Sequence, residues 1–327
     1  MKFLQIKTLT GAAAVLLACA MLPAAAQTFP VKPVRAVLPY SAGSGPDSVM
    51  RSVGEKLTRD WGQQLLVDNK PGANGWLAIG ETKRAQPDGY TLMTVDSTHM
   101  TLQPHLYKQL PFDPAKDFEP VAPLYRTNFF IVVGANAPWK NVTELIAAAK
   151  AKDGHLTYGS WGIGSVAHVG TAMFEHSTGA KMTHVPFKEL PQLYTAVATG
   201  EVDWAFGTAA TVGPLYKAKK VRLLAYAGHN RMAGYTDVPT VAESGGPAGF
   251  ELPTWVAMYA PKGTPKPVVD RIQSGVAKAL ADADIKDRLA NFGFEPWIAP
   301  PSDVTKAAEA DKLRFAEIVK RSRIALD

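Results

Sequence analysis

Cysteine is almost missing from the 327-residue chain: there is one, Cys19, within the first thirty residues. A lone cysteine excludes a disulfide framework and any paired-cysteine metal or redox centre. No apolar run reaches the roughly eighteen residues that a membrane-spanning helix needs. Charge is sparse at 20%, and the 35 Lys and Arg against 29 Asp and Glu are scattered rather than blocked. That balance argues against nucleic acid as a partner, and Lys217-Ala-Lys219-Lys220 reads as a solvated loop. Catalytic signatures are missing too. There is no H-E-x-x-H, His168 and His176 stand eight apart rather than four, and no glycine-flanked serine forms G-x-S-x-G. Neither a metal nor a cofactor is expected.

The chain begins with an address. Lys2 and Lys7 precede the apolar run Gly11-Ala-Ala-Ala-Val-Leu-Leu-Ala-Cys-Ala-Met-Leu22, which Pro23 closes. Ala24-Ala25-Ala26 then supplies small residues for a cut before Gln27, so residues 1–26 read as a cleaved secretory signal. Leu16-Leu17-Ala18-Cys19 offers the alternative of a lipoprotein box tethered through Cys19, although Leu17 fits it poorly. Cleavage after Ala26 leaves no cysteine, lowers the formal charge from +6 to +4 and places the protein in the periplasm.

With 46% hydrophobic residues, the remainder is long enough for two domains. Short apolar strands alternate with amphipathic helices. Val34–Tyr40, Leu65–Val67 and Tyr90–Val95 read as strands around helices at Ser48–Asp60 and Leu77–Arg84. The rhythm restarts with strands at Phe129–Val133, His155–Tyr158, Met182–Val185, Val202–Phe206 and Val221–Ala225. Helices at Val142–Lys152, Ser165–His176 and Pro191–Thr199 separate most of them. A strand at Trp255–Tyr259 and helices at Pro267–Ala281, Ile285–Asn291 and Asp303–Arg321 finish the chain. The pattern predicts an α/β protein of two lobes, each a mostly parallel sheet flanked by helices, with a ligand cleft between them. Lobe 1 is assigned residues 27–126 and 229–327, and lobe 2 residues 127–228.

Two loops suit anions. Tyr40-Ser41-Ala42-Gly43-Ser44-Gly45-Pro46-Asp47 joins a strand to a helix, so glycine freedom, serine hydroxyls and unpaired helix N–H groups coincide. A plain turn with Asp47 as helix cap is the alternative. Ser160-Trp161-Gly162-Ile-Gly164-Ser165-Val-Ala-His168 repeats the arrangement. Gly162-Ile-Gly164-Ser-Val-Ala167 also matches the dinucleotide pattern, with Glu189 at ribose distance, but an exported protein meets little dinucleotide. His99, in Asp96-Ser97-Thr98-His99, follows a strand and either lines the cleft or serves the structure.

These residues carry a resemblance over essentially the whole chain after the signal. Phe29-Pro30-Val-Lys-Pro33-Val34-Arg35, Pro39-Tyr40-x-x-Gly43-Ser44-x-x-Asp47 and Asp68-Asn69-Lys70-Pro71-Gly72-Ala73-Asn74-Gly75 come first. Pro87-Asp88-Gly89-Tyr90-Thr91-Leu92, Ser160-x-Gly162-x-Gly164-Ser165-x-x-His168, Val185-Pro186-Phe187-Lys188 and Val238-Pro239-Thr240-Val241-Ala242-Glu243-Ser244-Gly245 follow in order. Together they resemble the Bug family, the extracytoplasmic solute receptors of tripartite tricarboxylate transporters. The resemblance implies a type II-like periplasmic-binding fold closing on a carboxylate, a monomer that serves a membrane permease, and no enzymatic activity. It also implies ligand contacts from Tyr40, Ser41, Gly43, Ser44, Asp47, Ser97, Thr98 and His99 in one lobe. Ser160, Gly162, Gly164, Ser165 and His168 supply those of the other, and Trp161 and Phe187, which depart from the family pattern, are added beside them as candidate contacts.

Departures from the family pattern bear on specificity. Ser44 replaces a usual glycine, Phe187 a usual tyrosine, Glu189 a usual glycine, and Trp161 stands where small residues are commoner. An indole in the wall favours a flat ligand body, so an aromatic mono- or dicarboxylate of the terephthalate or protocatechuate kind is expected. The alternatives are a citrate-like or acidic amino-acid carboxylate with Trp161 as packing, and an exported hydrolase or transferase using Ser160 or Ser165 with His168.

Overall fold

In the computed structural model, residues 29–151 and 154–322 are described; the signal segment, Cys19 and the predicted helix end at Lys152 lie outside them. Among the described residues, no helix is long and apolar enough to cross a membrane.

The chain builds two sheets. Strands β1 (Val34–Leu38), β2 (Leu65–Asn69), β3 (Thr91–Asp96) and β4 (Phe118–Thr127) form most of the first. The chain then enters the second with β5 (Phe130–Gly134), β6 (Thr157–Ser160), β7 (Thr183–Pro186), β8 (Trp204–Gly207) and β9 (Val221–Tyr226). It returns with β10 (Thr254–Pro261) and β11 (Glu295–Pro296), giving the orders β11-β4-β10-β3-β1-β2 and β7-β6-β8-β5-β9. Met232, Val238, Val241, Phe250 and Leu252, between β9 and β10, still pack into the hydrophobic clusters of the second sheet.

The α/β class is as expected, but the sheets are mixed rather than mostly parallel. β1 runs parallel to β2 and β3, and β6 to β7 and β8. By contrast, β10 is antiparallel to both β3 and β4, and β5 to both β8 and β9. The sequence hides β4, because Pro120 and Pro123 each remove a ladder donor and read as loop. Register shifts in β10 between Val256 and Ala257 and between Met258 and Tyr259 accommodate them. The helix Ala209–Lys217 was hidden in the same way, by Pro214 in its interior.

Helices position the strand ends. Gly45–Trp61 opens with Pro46, buries Val49, Met50, Val53, Leu57 and Trp61 on one stripe, and stops at left-handed Gly62. Val166–Thr178 is capped by Ser165, whose hydroxyl accepts from His168 N at 3.3 Å, and ends at left-handed Gly179. Parallel pairing puts the carboxyl ends of β1 and β3 on one edge, and those of β6, β7 and β8 on another. The two anion-suited loops therefore leave from strand carboxyl ends, where α/β sheets place ligands.

Candidate functional site

In the first loop, Asp47 is turned inward. It is 2% exposed, and its carboxylate accepts from Gly43 N at 2.8 Å, Arg51 Nε at 3.0 Å and Asn69 Nδ2 at 2.9 Å. Burial pushes its pKa up, but the Arg51, Gly43 and Asn69 contacts outweigh that and hold it below the usual carboxylate range. Asp47 thus braces the loop, close to the capping role weighed for it, and has little left to offer a ligand. Asn69 Nδ2 also donates to Tyr40 O at 3.0 Å, fixing the loop from the neighbouring strand.

Glycine N–H groups were expected to grip the anion, yet Gly43 N is spent on Asp47 and Ser44 N on Ser41 O. Among the described residues the N–H groups of Ala42, Gly45 and Asp47 form no hydrogen bond, and two of these belong to the helix's first turn. Beside them, Ser44 Oγ is cut off from solvent and has no partner. An unsatisfied buried hydroxyl at a helix start is where a ligand oxygen gains most.

Behind this loop lies a buried charge network. Tyr40 Oη donates to Asp96 Oδ2 at 3.0 Å, Thr98 donates to Oδ1 through N at 2.9 Å and through Oγ1, and His99 Nδ1 faces Oδ1 at 3.1 Å. Burial pushes Asp96 up, but His99, Thr98 and Tyr40 outweigh it and hold the carboxyl at about 2. Burial likewise opposes a charge on His99, and Asp96 overcomes it and raises the imidazole. Ser97 is fully buried and bonds Thr254 Oγ1 at 3.0 Å, so it ties β3 to β10. Of the three residues expected at this edge, Ser97 and Thr98 are occupied internally, and His99 keeps only its Nε2 edge.

The second loop has neutral supports. Gly164 N donates to His168 Nδ1 at 3.1 Å, which fixes the His168 proton on Nε2. Ser160 is fully buried, and its Oγ lies 2.7 Å from His184 Nε2 and 2.9 Å from Gly162 O. The His168 and His184 rings stack at 4.3 Å, and Tyr158 stacks on His184 at 4.9 Å. Burial lowers His168, and burial with the neighbouring His168 lowers His184 to about 4, so both rings are neutral at pH 7. The pairing of Ser160 or Ser165 with the His168 ring expected for a hydrolase is not formed, because Ser165 meets only the His168 backbone and Ser160 meets His184. Among the described residues, the N–H groups of Ile163, Val166 and Ala167 remain unbonded at this helix start.

Trp161 is half-buried, stacks on Phe129 at 5.7 Å, and packs against both clusters of the second sheet. Phe187 is also half-buried, and its N–H closes on Ser160 O at 2.8 Å. The two halves meet directly, since Ser41 Oγ donates to Glu189 Oε2 at 3.4 Å. Sequence reading leaves Glu189 unassigned and gives Asn69 and His184 no role in the site. Asn69 is visible as part of a turn and of a motif that carries the resemblance, and a histidine on a short strand carries no signal of its own.

A model described as the tripartite tricarboxylate transporter family receptor, TctC, matches residues 49–324. A UPF0065 protein in the gbd 5' region of Cupriavidus necator is 33% identical over 319 residues, covering 97% of this chain and 94% of its own. R. palustris Rpa4515 with adipate superposes with a TM-score of 0.86 at 29% identity, over 91% of this chain and 99% of its own. MatC from Rhodopseudomonas palustris with bound malate gives 0.82 at 28%, over 89% and 100%. The two-sheet architecture is the two-lobed periplasmic-binding fold shared with such structures. The chain belongs to the receptor family of the tripartite tricarboxylate transporters.

Proposed function

We propose that this chain is an exported, non-enzymatic receptor that captures a small carboxylate between its lobes and hands it to a tripartite tricarboxylate-type permease. The carrying observation is the buried, partnerless Ser44 hydroxyl beside the free N–H groups of Gly45 and Asp47. The free N–H groups of Val166 and Ala167 open the other helix. Two helix starts without a lysine or arginine suit carboxylate ends, each charge-assisted bond contributing about 1.5–3 kcal/mol. Ser41, Ser44, His99, Ser165 and His168 supply the remaining donors. Tyr40, Gly43, Asp47, Ser97, Thr98, Ser160, Gly162 and Gly164 shape the loops.

On this reading residues 1–26 are removed on export and the mature monomer works in the periplasm. The lobes are taken as residues 27–126 with 229–327 and residues 127–228, and the packing of Met232, Val238, Val241, Phe250 and Leu252 with the second sheet supports a later second changeover. The ligand body is aromatic if the free face of Trp161 forms the wall. An aliphatic dicarboxylate is the second reading, favoured by the stacking of Trp161 on Phe129 and by the adipate and malate named for the similar structures.

A thermal-shift screen over aliphatic and aromatic carboxylates tests this. A ligand at 100 times its Kd stabilises by about 2.7 kcal/mol, a readily seen shift. If no carboxylate shifts the midpoint, the receptor reading loses its basis. Trp161→Ala is expected to weaken terephthalate at least tenfold while sparing adipate; equal losses make Trp161 packing.

A further inference from the structure

One turn is unlike the rest of the chain. Gly72, Ala73, Asn74 and Gly75 have successive φ values of 97°, 46°, 51° and 85°. Alanine and asparagine are costly there, and such backbone persists where its surroundings over-determine it. Here they do. Gln103 Nε2 donates to Asn74 O at 2.8 Å, and Gln103 is itself held by Trp76 Nε1 at 2.8 Å. Asn74 Nδ2 donates to Tyr107 Oη at 2.5 Å, and the Tyr107 ring sits edge-on to Trp76 at 4.9 Å. At Gly75 a Cβ would run into the His99 ring, so the turn is seated against the Asp96–His99 pair.

These contacts spend the carbonyl and amide nitrogen of Asn74 and leave Oδ1 without a hydrogen bond among the described residues. That oxygen faces the opposite sheet's loop. A Cβ built on Gly162 would lie 3.6 Å from Asn74 Oδ1, which apart from chain neighbours is the one atom within 4 Å. An immobilised acceptor therefore overhangs the loop whose neighbouring N–H groups, at Ile163, Val166 and Ala167, await an anion. A ligand oxygen held by those donors brings its adjacent substituents under Asn74. An acceptor rewards a donor there and gains nothing from a hydrogen atom on carbon.

We infer that Asn74 is a specificity-determining residue of this cleft, selecting carboxylates that carry a hydroxyl or amino group near the bound end over their unsubstituted counterparts. The inference rests on the carboxylate reading above. It makes no choice between aliphatic and aromatic ligands, since either class offers such members.

Matched pairs test it by calorimetric titration of the full mature protein: malate against succinate, and mandelate against phenylacetate, each differing by one hydroxyl on the carbon next to a carboxylate. Wild type is expected to prefer the hydroxylated member of whichever pair binds by ~3–10-fold, the range of one neutral hydrogen bond. Asn74→Gly keeps the left-handed turn and should erase that preference by weakening the hydroxylated member alone. Asn74→Asp keeps an acceptor and should retain the preference while weakening both members through repulsion of the carboxylate. Unfolding midpoints of the ligand-free variants separate lost selectivity from lost fold. Equal wild-type affinities within a pair, or an undiminished preference in Asn74→Gly, overturn the assignment and leave the carboxylate reading standing. If no carboxylate binds wild type, the broader reading fails and takes this inference with it.

Discussion

The loop at residues 41–47 is braced by charge, through Asp47 with Arg51 and Asn69 and through the Asp96–His99 pair behind it. The loop at residues 160–168 has a similar sequence of glycines and serines but rests on two neutral imidazoles and a tyrosine ring. The difference shows that an anion site needs donors held in place, and that the holding chemistry is free to vary. Ion pairs hold one loop, and its carboxylates Asp47 and Asp96, both kept below the usual carboxylate range, stay charged well into acid. Stacked histidines hold the other only while they stay uncharged.

Removing the charged brace should have the largest effect. Asp47→Ala removes a buried carboxylate with its three hydrogen bonds and leaves Gly43 N and one Asn69 amide hydrogen without an acceptor, so a loss of about 2–3 kcal/mol is expected. Urea unfolding measures it; a loss below about 0.5 kcal/mol would show that Arg51 and Asn69 hold the loop alone.

The neutral brace is tested next, by acid. His184 titrates at about 4 in the folded chain, below its unfolded value near 6.5. The unfolded chain therefore binds more protons between those values, and stability falls as pH drops from about 6.5 to 4. His184→Phe keeps the stack but loses the bond to Ser160, costing about 1 kcal/mol at pH 7 and flattening the decline below it. Asp96, held at about 2, contributes stability that is lost only as pH falls below about 4. Melting curves at pH 7, 5.5 and 4.5 should place the acid sensitivity with the histidines; an unchanged slope in His184→Phe assigns it elsewhere.

The exposed Ser41–Glu189 bond between the halves should matter least, since Val169 also packs with Leu102, Leu106 and Phe315. Glu189→Gln preserves the size and an acceptor for Ser41, so stability should move by less than about 0.5 kcal/mol. A larger shift in melting would mean that closure leans on this one exposed contact.

The sequence made the two loops legible because glycine and serine spacing between a strand and a helix has few other uses. The direction of Asp47 was half legible. Ser44-x-x-Asp47 has the form of a capping box, although the carboxylate reaches back to Gly43 N. His184 and Asn74 were beyond reach, since one acts across a strand pair and the other through a left-handed turn fastened by Gln103 and Tyr107. The same limit hid the sheet directions. Local periodicity identifies β3 as a strand but says nothing of β10, some 160 residues later, lying antiparallel beside it.

That late strand has a consequence for how the molecule assembles. β10 sits between β3 and β4, so the middle of the first sheet stays open until residues 254–261 have been made. The second sheet uses only the continuous stretch from Phe130 to Tyr226 and closes without waiting. Loop-closure entropy weighs on the first sheet far more than on the second. The half of the molecule whose loop is fastened by ion pairs is thus the half whose sheet is completed last: β1, β2 and β3 pair among themselves early, but one edge of β3 and both edges of β4 wait for strands from residue 254 onward.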